Sequence, residues 1–146
     1  MRSVRITEKL TVAGQPAITT FPSIAEDGFG LVINNRPDGE EKTQPGSAAE
    51  ERAARDAGLG YVHIPVTGPS ISEENIRRFQ AAIASADGPV LAHCRSGTRC
   101  LALYALGEVL DGRMQPGEVL AFGAQYGFEL TVADVWLRRN FKSAAS

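Results

Sequence analysis

"PVLAHCRSGTRC", residues 89–100, is the stretch on which the reading of the chain turns. A short apolar run ends in His93-Cys94, a small polar loop follows, and Cys100 opens a second apolar run. A strand that passes through a Gly-containing loop straight into a helix aims loop amides and the helix dipole at one point. A nucleophilic cysteine needs that help. A free thiol has a pKa near ~8.5, and lowering it to roughly 6 takes about 3.4 kcal/mol of preferential stabilisation of the anion. A helix N-terminus alone supplies about 0.3–2 kcal/mol. The rest must come from amides and a fixed cation, and Cys94-Arg95-Ser96-Gly97-Thr98-Arg99 offers both. Gly97 permits a tight turn, and Arg99 can fold a planar donor fork back toward the sulfur. Cys94 and Arg99 are therefore the expected catalytic pair. Arg95, Ser96, Gly97 and Thr98 are the expected anion-binding loop, with Arg95 open to being a solvated charge. His93 is expected to orient the loop by a hydrogen bond rather than to act as a base.

Outward from this loop, Gly and Pro divide the chain into short alternating elements. Strands are expected at 10–14, 29–35, 61–66 and 89–94. Helices are expected at 21–28, 47–58, 72–88, 100–112, 115–127 and 131–141. Ser47 and Glu50 have the spacing of a capping box. Ile76, Phe79 and Ile83 share one face of their helix, and Val132, Val135 and Trp136 are expected on the inward face of the last one. The run 100–112 is apolar almost all round and should be a buried central helix. His63, in mid-strand, reads as a core histidine. Alternating strands and helices imply an α/β three-layer domain over 1–146, with a mostly parallel sheet of four or five strands. Ligands of such sheets bind beyond the carboxyl ends of the strands, where the cysteine loop lies. Arg36 begins just past another strand end, so it too is a candidate for the site.

The 146 residues are 43% hydrophobic and 22% charged, ordinary for a globular chain. Fifteen basic residues nearly balance 17 acidic ones, which argues against nucleic acid as a partner. Two cysteines are too few for a disulfide framework, so a reducing cytoplasm is expected. With only His63 and His93 beside them, no zinc set forms, and neither a metal nor an organic cofactor is expected. No apolar run reaches the length of a membrane span, and the charged N-terminus is unlike a signal peptide.

Four ordered motifs carry a resemblance: "VAGQP" (12–16), "VINNRPDGEE" (32–41), "YVHIPVTG" (61–68) and "PVLAHCRSGTR" (89–99). With them the chain resembles the phosphatase-like domain of bacterial β-lactamase-hydrolase-like proteins. More distantly it resembles the dual-specificity phosphatases. The resemblance implies a cysteine-phosphatase-like fold. It leaves the reaction open, because members have been described both as phosphatase-like and as sulfur transferases.

The chain departs from the phosphatase pattern in three ways. That pattern is His-Cys-x5-Arg, but four residues separate Cys94 from Arg99. One missing residue is about 3.8 Å of contour, and it rotates the arginine by about 100° on the helix. The loop after the "HIP" strand, Thr67-Gly68-Pro69-Ser70, lacks the Asp that protonates the leaving alcohol. Cys100 stands where the pattern has its arginine, and where a Ser or Thr usually follows the arginine found here. The loop instead resembles the Cys-Arg-x-Gly-x-Arg/Thr loop of rhodanese-type sulfurtransferases.

The leading expectation is thus sulfane-sulfur transfer through a Cys94 persulfide, from a small-molecule sulfur donor to a thiol acceptor. The alternative is an atypical phosphatase acting on a phosphorylated substrate, with Asp38, Glu40 or Glu41 as its acid. A third possibility is a non-catalytic anion-binding module. Cys100 is either a packing residue or a thiol able to resolve the Cys94 adduct.

Overall fold

The computed structural model of the chain describes residues 2–141. Five strands, β1 (Ser3–Arg5), β2 (Leu10–Ala13), β3 (Leu31–Asn34), β4 (Gly60–His63) and β5 (Val90–His93), form one sheet in the order β1-β2-β5-β3-β4. β1 runs antiparallel to β2, and all the other pairings are parallel. The helices are α1 (Phe21–Glu26), α2 (Ser47–Asp56), α3 (Glu73–Ser85), α4 (Thr98–Leu110), α5 (Val119–Gln125) and α6 (Thr131–Asn140). This is the expected α/β architecture. β1 was not anticipated, because it is only three residues long, with Ser3 and Arg5 exposed around a half-buried Val4.

The central strands carry apolar residues on both faces, so period-2 alternation sends neighbours to opposite layers. Leu10, Val12, Ile33, Val90 and Ala92 face the layer built from α3, α4, α5 and α6. Ala13, Val32 and Leu91 face α1 and α2, where Phe21, Ile24 and Ala54 meet them. α4 lies deepest. Eight of its residues between Cys100 and Val109 are buried, and only Tyr104 and Glu108 in that span reach the surface. Gly107 is what lets α3 approach it: a Cβ there would fall 2.5 Å from Gln80 Nε2.

Register decides where function can sit. Ala13 and Asn34 both pair with His93, and Asn34 pairs with His63. The carboxyl ends of β2, β5, β3 and β4 are therefore level. The segments after Ala13, His93, Asn34 and His63 leave the sheet along one edge.

Two local expectations fail. Ser47 and Glu50 form no capping box: the N-cap is Gly46, at φ 88°, with no side-chain cap. Ser47 bonds instead to Asp38, its N–H at 2.7 Å and its hydroxyl at 2.6 Å, and Glu50 turns into the protein. On α6 the inward stripe is Ala133 and Leu137, while Val135 is exposed and Val132 and Trp136 are only half buried. The stripe is fixed by Leu130, fully buried just before the helix, because residues three and four apart share a face. Among the described residues no helix is long and apolar enough to cross a membrane.

The contrast between layers is measurable. Leu106→Ala, in the buried α4, should lower unfolding free energy by about 2–5 kcal/mol in a denaturant titration. Leu120→Ala, on the exposed side of α5, should change it by no more than about 0.5 kcal/mol.

Candidate active site

Cys94 is the first residue past β5, and Gly97 makes the turn back into α4 with φ 99°. Only glycine adopts that conformation without strain, and the position is crowded as well. A Cβ there would lie 3.2 Å from the ring of Phe128. The turn wraps the Cys94 sulfur. Gly97 N–H donates to Sγ at 3.0 Å, and the N–H groups of Ser96 and Arg99 also favour the anion. Cys100, in the first turn of α4 and fully buried, brings its thiol near enough to the same sulfur to favour the anion. That thiol is the largest single influence holding the Cys94 pKa down to about 5, against burial, with the amides and the Arg99 charge adding to it. Cys100 itself is pushed well up, by burial first and then by the neighbouring anion, so it remains a donor. Both cysteines are free. Cys100 packs in the core, as one of its two readings expects, and its thiol also acts on Cys94.

Three arginines and two carboxylates stand over the loop. Arg99 donates from Nη1 to Glu40 Oε2 at 2.7 Å and to the Val66 carbonyl at 2.9 Å, and from Nη2 to Glu40 Oε1 at 3.0 Å. Arg36, only 2% exposed, donates from Nε to Glu40 at 2.9 Å, from Nη1 to Gln15 at 3.0 Å, and from Nη2 to Glu41. Arg95, largely exposed, reaches Glu41 at 3.2 Å. Ser96 and Thr98 hydroxyls bond to each other at 3.2 Å at the loop surface. Arg36 therefore belongs to the site's framework, where it anchors the segment that carries Glu40 and Glu41.

The candidate acids are otherwise engaged. Asp38 ties the 36–46 loop to the start of α2, and its bonds from Ser47 hold its carboxyl below the usual range. The bonds from Arg99 first, and then from Arg36, hold Glu40 down to about 2. Glu41 is shared by Arg36 and Arg95. Past β4, Thr67 and Ser70 bond to each other and bring no carboxylate.

Beneath the loop lies a group that the sequence reading assigned elsewhere. Glu50, fully buried, meets His93 Nε2 at 2.6 Å, Gln15 Nε2 at 2.8 Å and the Tyr61 hydroxyl at 3.3 Å. His93 Nδ1 faces the Cys94 carbonyl at 3.3 Å. The available signal was position: Glu50 precedes Ala53 by three and Ala54 by four, on the stripe that α2 turns inward. His63 is half buried and joins the Arg36 carbonyl through Nε2 at 2.8 Å.

The thiol environment has a direct readout. Alkylation of Cys94 should fall as pH drops through about 5, where the thiolate takes up a proton. Cys100→Ala removes the strongest donor and should raise that midpoint by about one to two pH units, the scale of one hydrogen bond to an ion. Cys100→Ser keeps an O–H donor and should hold the midpoint near the native value.

Comparison with known proteins places this geometry. The family model for the phosphatase-like domain of the beta-lactamase hydrolase-like protein matches residues 2–111. Beta-lactamase hydrolase-like proteins of Agrobacterium fabrum and Xylella fastidiosa are 55% and 54% identical to the chain over 140 residues, 96% of its length. The chain spans 32% of the length of those relatives. Among solved structures, a candidate phosphatase from Neisseria meningitidis is 32% identical with a TM-score of 0.79, covering 92% of this chain and 93% of its own. TpbA of P. aeruginosa, solved with pTyr, shares the fold at 16% identity and a TM-score of 0.69, over 93% of this chain and 82% of its own. These names fall on the phosphatase side of the two chemistries, and the expectation of sulfur transfer draws no support from them. By the family match and the identity to its relatives, the chain belongs to the phosphatase-like domains of beta-lactamase hydrolase-like proteins.

Proposed function

We propose that Cys94 is the nucleophile of a group-transfer enzyme, and that the group this loop fits best is a sulfane sulfur. The observation that carries the sulfur assignment is the short loop, four residues between Cys94 and Arg99, beside a 67–70 turn that brings no carboxylate. Cys94 is 1% exposed, with Gly97 N–H already 3.0 Å from Sγ. A tetrahedral phosphoryl group needs three equatorial oxygens held there, whereas a persulfide adds one atom. In the forward step Cys94 thiolate attacks the outer sulfur of a donor such as thiosulfate. The S–S bond of the donor breaks, sulfite leaves with the electron pair, and a Cys94 persulfide remains. An acceptor thiolate then attacks the terminal sulfur, and Cys94 leaves as the thiolate. Both leaving groups are stable anions, so no acid is required. Arg99 and the loop amides hold negative charge at the sulfur throughout, and Arg95, Ser96 and Thr98 line the approach.

A second reading, phosphoester hydrolysis through a phosphocysteine, is favoured by the comparisons: the family carries a phosphatase-like name, and a fold neighbour holds pTyr. In it Arg99 and the amides bind phosphate oxygens. An acid must then come from Asp38, Glu40 or Glu41, each now bonded elsewhere. Lacking one typically costs about 10²–10⁴ in rate.

One preparation tests both. After incubation with thiosulfate or a glutathione persulfide, intact-protein mass spectrometry should show an adduct of one sulfur, about 32 Da, that is absent in Cys94→Ser. No adduct on the native protein, or one that persists in Cys94→Ser, removes the sulfur reading. Vanadate-sensitive turnover of an aryl phosphate that Cys94→Ser abolishes would put the phosphatase reading in its place.

A further inference from the structure

The buried carboxylate of Glu50 has no part in the chemistry above, yet it touches both residues that hold the loop carbonyls. We propose that Glu50 is the positioning residue of the Cys94 loop, acting through His93 and Gln15. The inference rests on Cys94 being the nucleophile and is indifferent to whether it carries sulfur or phosphoryl.

Every neighbour bonded to Glu50 is a donor. His93 Nε2 meets one carboxylate oxygen at 2.6 Å, and Gln15 Nε2 meets the other at 2.8 Å. The Tyr61 oxygen takes a hydrogen from Asn34 Nδ2 at 2.9 Å, which leaves its own hydrogen for Glu50 at 3.3 Å. Three contacts thus fall on its two oxygens and fix the side chain in place. His93 faces two acceptors, Glu50 on Nε2 and the Cys94 carbonyl on Nδ1 at 3.3 Å. A carbonyl cannot donate, so the Cys94 partner assigns a proton to Nδ1, and His93 links Glu50 to the loop backbone.

The effect on the nucleophile follows from peptide geometry. No peptide bond in the described chain is cis, so each carbonyl and the following N–H point to opposite sides. His93 draws the Cys94 carbonyl downward. Gln15, held by Glu50, draws the Arg95 carbonyl down through its own N–H at 3.2 Å. Gly14 makes that approach possible, because a Cβ there would meet the Arg95 oxygen at 3.1 Å. With the Arg95 carbonyl turned under the sheet edge, the Ser96 N–H is turned up toward the sulfur, where it favours the thiolate. Glu50 therefore aims donors it never touches.

The titratable groups around the two ends are few. Cys100 and Arg99, both on α4, act on the Cys94 sulfur, while His93 of β5 and Tyr61 of β4 face Glu50.

The test follows iodoacetamide alkylation of Cys94 by intact mass across pH, in the native chain, Glu50→Gln, His93→Gln and the double variant, each checked for folding by circular dichroism. It uses no substrate, so its outcome is independent of the sulfur assignment. Each single variant should raise the midpoint, natively at about 5, by about one pH unit. The double variant should move it no further than the larger single shift, because both act through one path. A native midpoint in Glu50→Gln, or shifts that add fully in the double variant, would overturn the proposal. Should Glu50→Gln fail to fold, His93→Gln decides alone: a native midpoint there overturns it too.

Discussion

A buried thiolate persists only where donors replace the water it has lost. Cys94 meets that condition with Gly97 N–H at 3.0 Å, the neighbouring loop amides, the Cys100 thiol and the charge of Arg99. Each donor depends on a different part of the fold. Level strand ends bring Cys94 out beside Ala13 and Asn34. The left-handed Gly97 turns the loop amides inward. The start of α4 at Thr98 sets Arg99 and Cys100 on adjacent directions around the sulfur, and burial of α4 fixes that helix in place. Loosening any one of these would leave an anion in a low-dielectric site with too few partners, which costs more than a surface contact contributes.

The charged layer above the loop obeys the same constraint. Arg36 is almost wholly buried and requires acceptors, which Glu40, Glu41 and Gln15 supply. Glu40 also holds Arg99, and Glu41 reaches Arg95. Three guanidinium charges against two carboxylates leave one positive charge, and the Cys94 thiolate balances it. The carboxylates therefore stabilise the resting arrangement of the arginines. For Glu40 that role is incompatible with simultaneous service as a proton donor, because a carboxyl held down to about 2 has no proton to give at neutral pH.

Strand positions and the cysteine loop were legible in the sequence because both are local. Apolar β-branched runs bounded by Gly and Pro mark β3, β4 and β5, and a Gly three residues after a strand-ending Cys marks the turn. Cys94, Gly97 and Arg99 lie together where the loop was expected. What escaped was set by long-range pairing. Glu50 fits a capping box by spacing, yet Gly46 takes the cap position and His93, 43 residues away, takes the carboxylate. By sequence Glu40 and Glu41 read first as solvated loop charges and only second as an acid. Only the packing of the 36–46 loop against Arg99, 59 residues on, turns them into arginine partners. β1 pairs with β2 through a pattern too short and too exposed to register as a strand.

Loop length ties these features together. With four residues between Cys94 and the arginine, the position where a longer loop would place its cation falls to Cys100, a small neutral donor sealed from solvent. The cation is displaced about 100° around the helix. There it approaches from the side and spends both terminal nitrogens on Glu40 and the Val66 carbonyl. A forked cation facing outward over the sulfur suits a multiply charged tetrahedral group, whose oxygens need several strong donors at once. A thiol below, amides around and a cation at the flank suit a charge concentrated on sulfur itself. The groups that stabilise the anion in this loop act on the Cys94 sulfur itself.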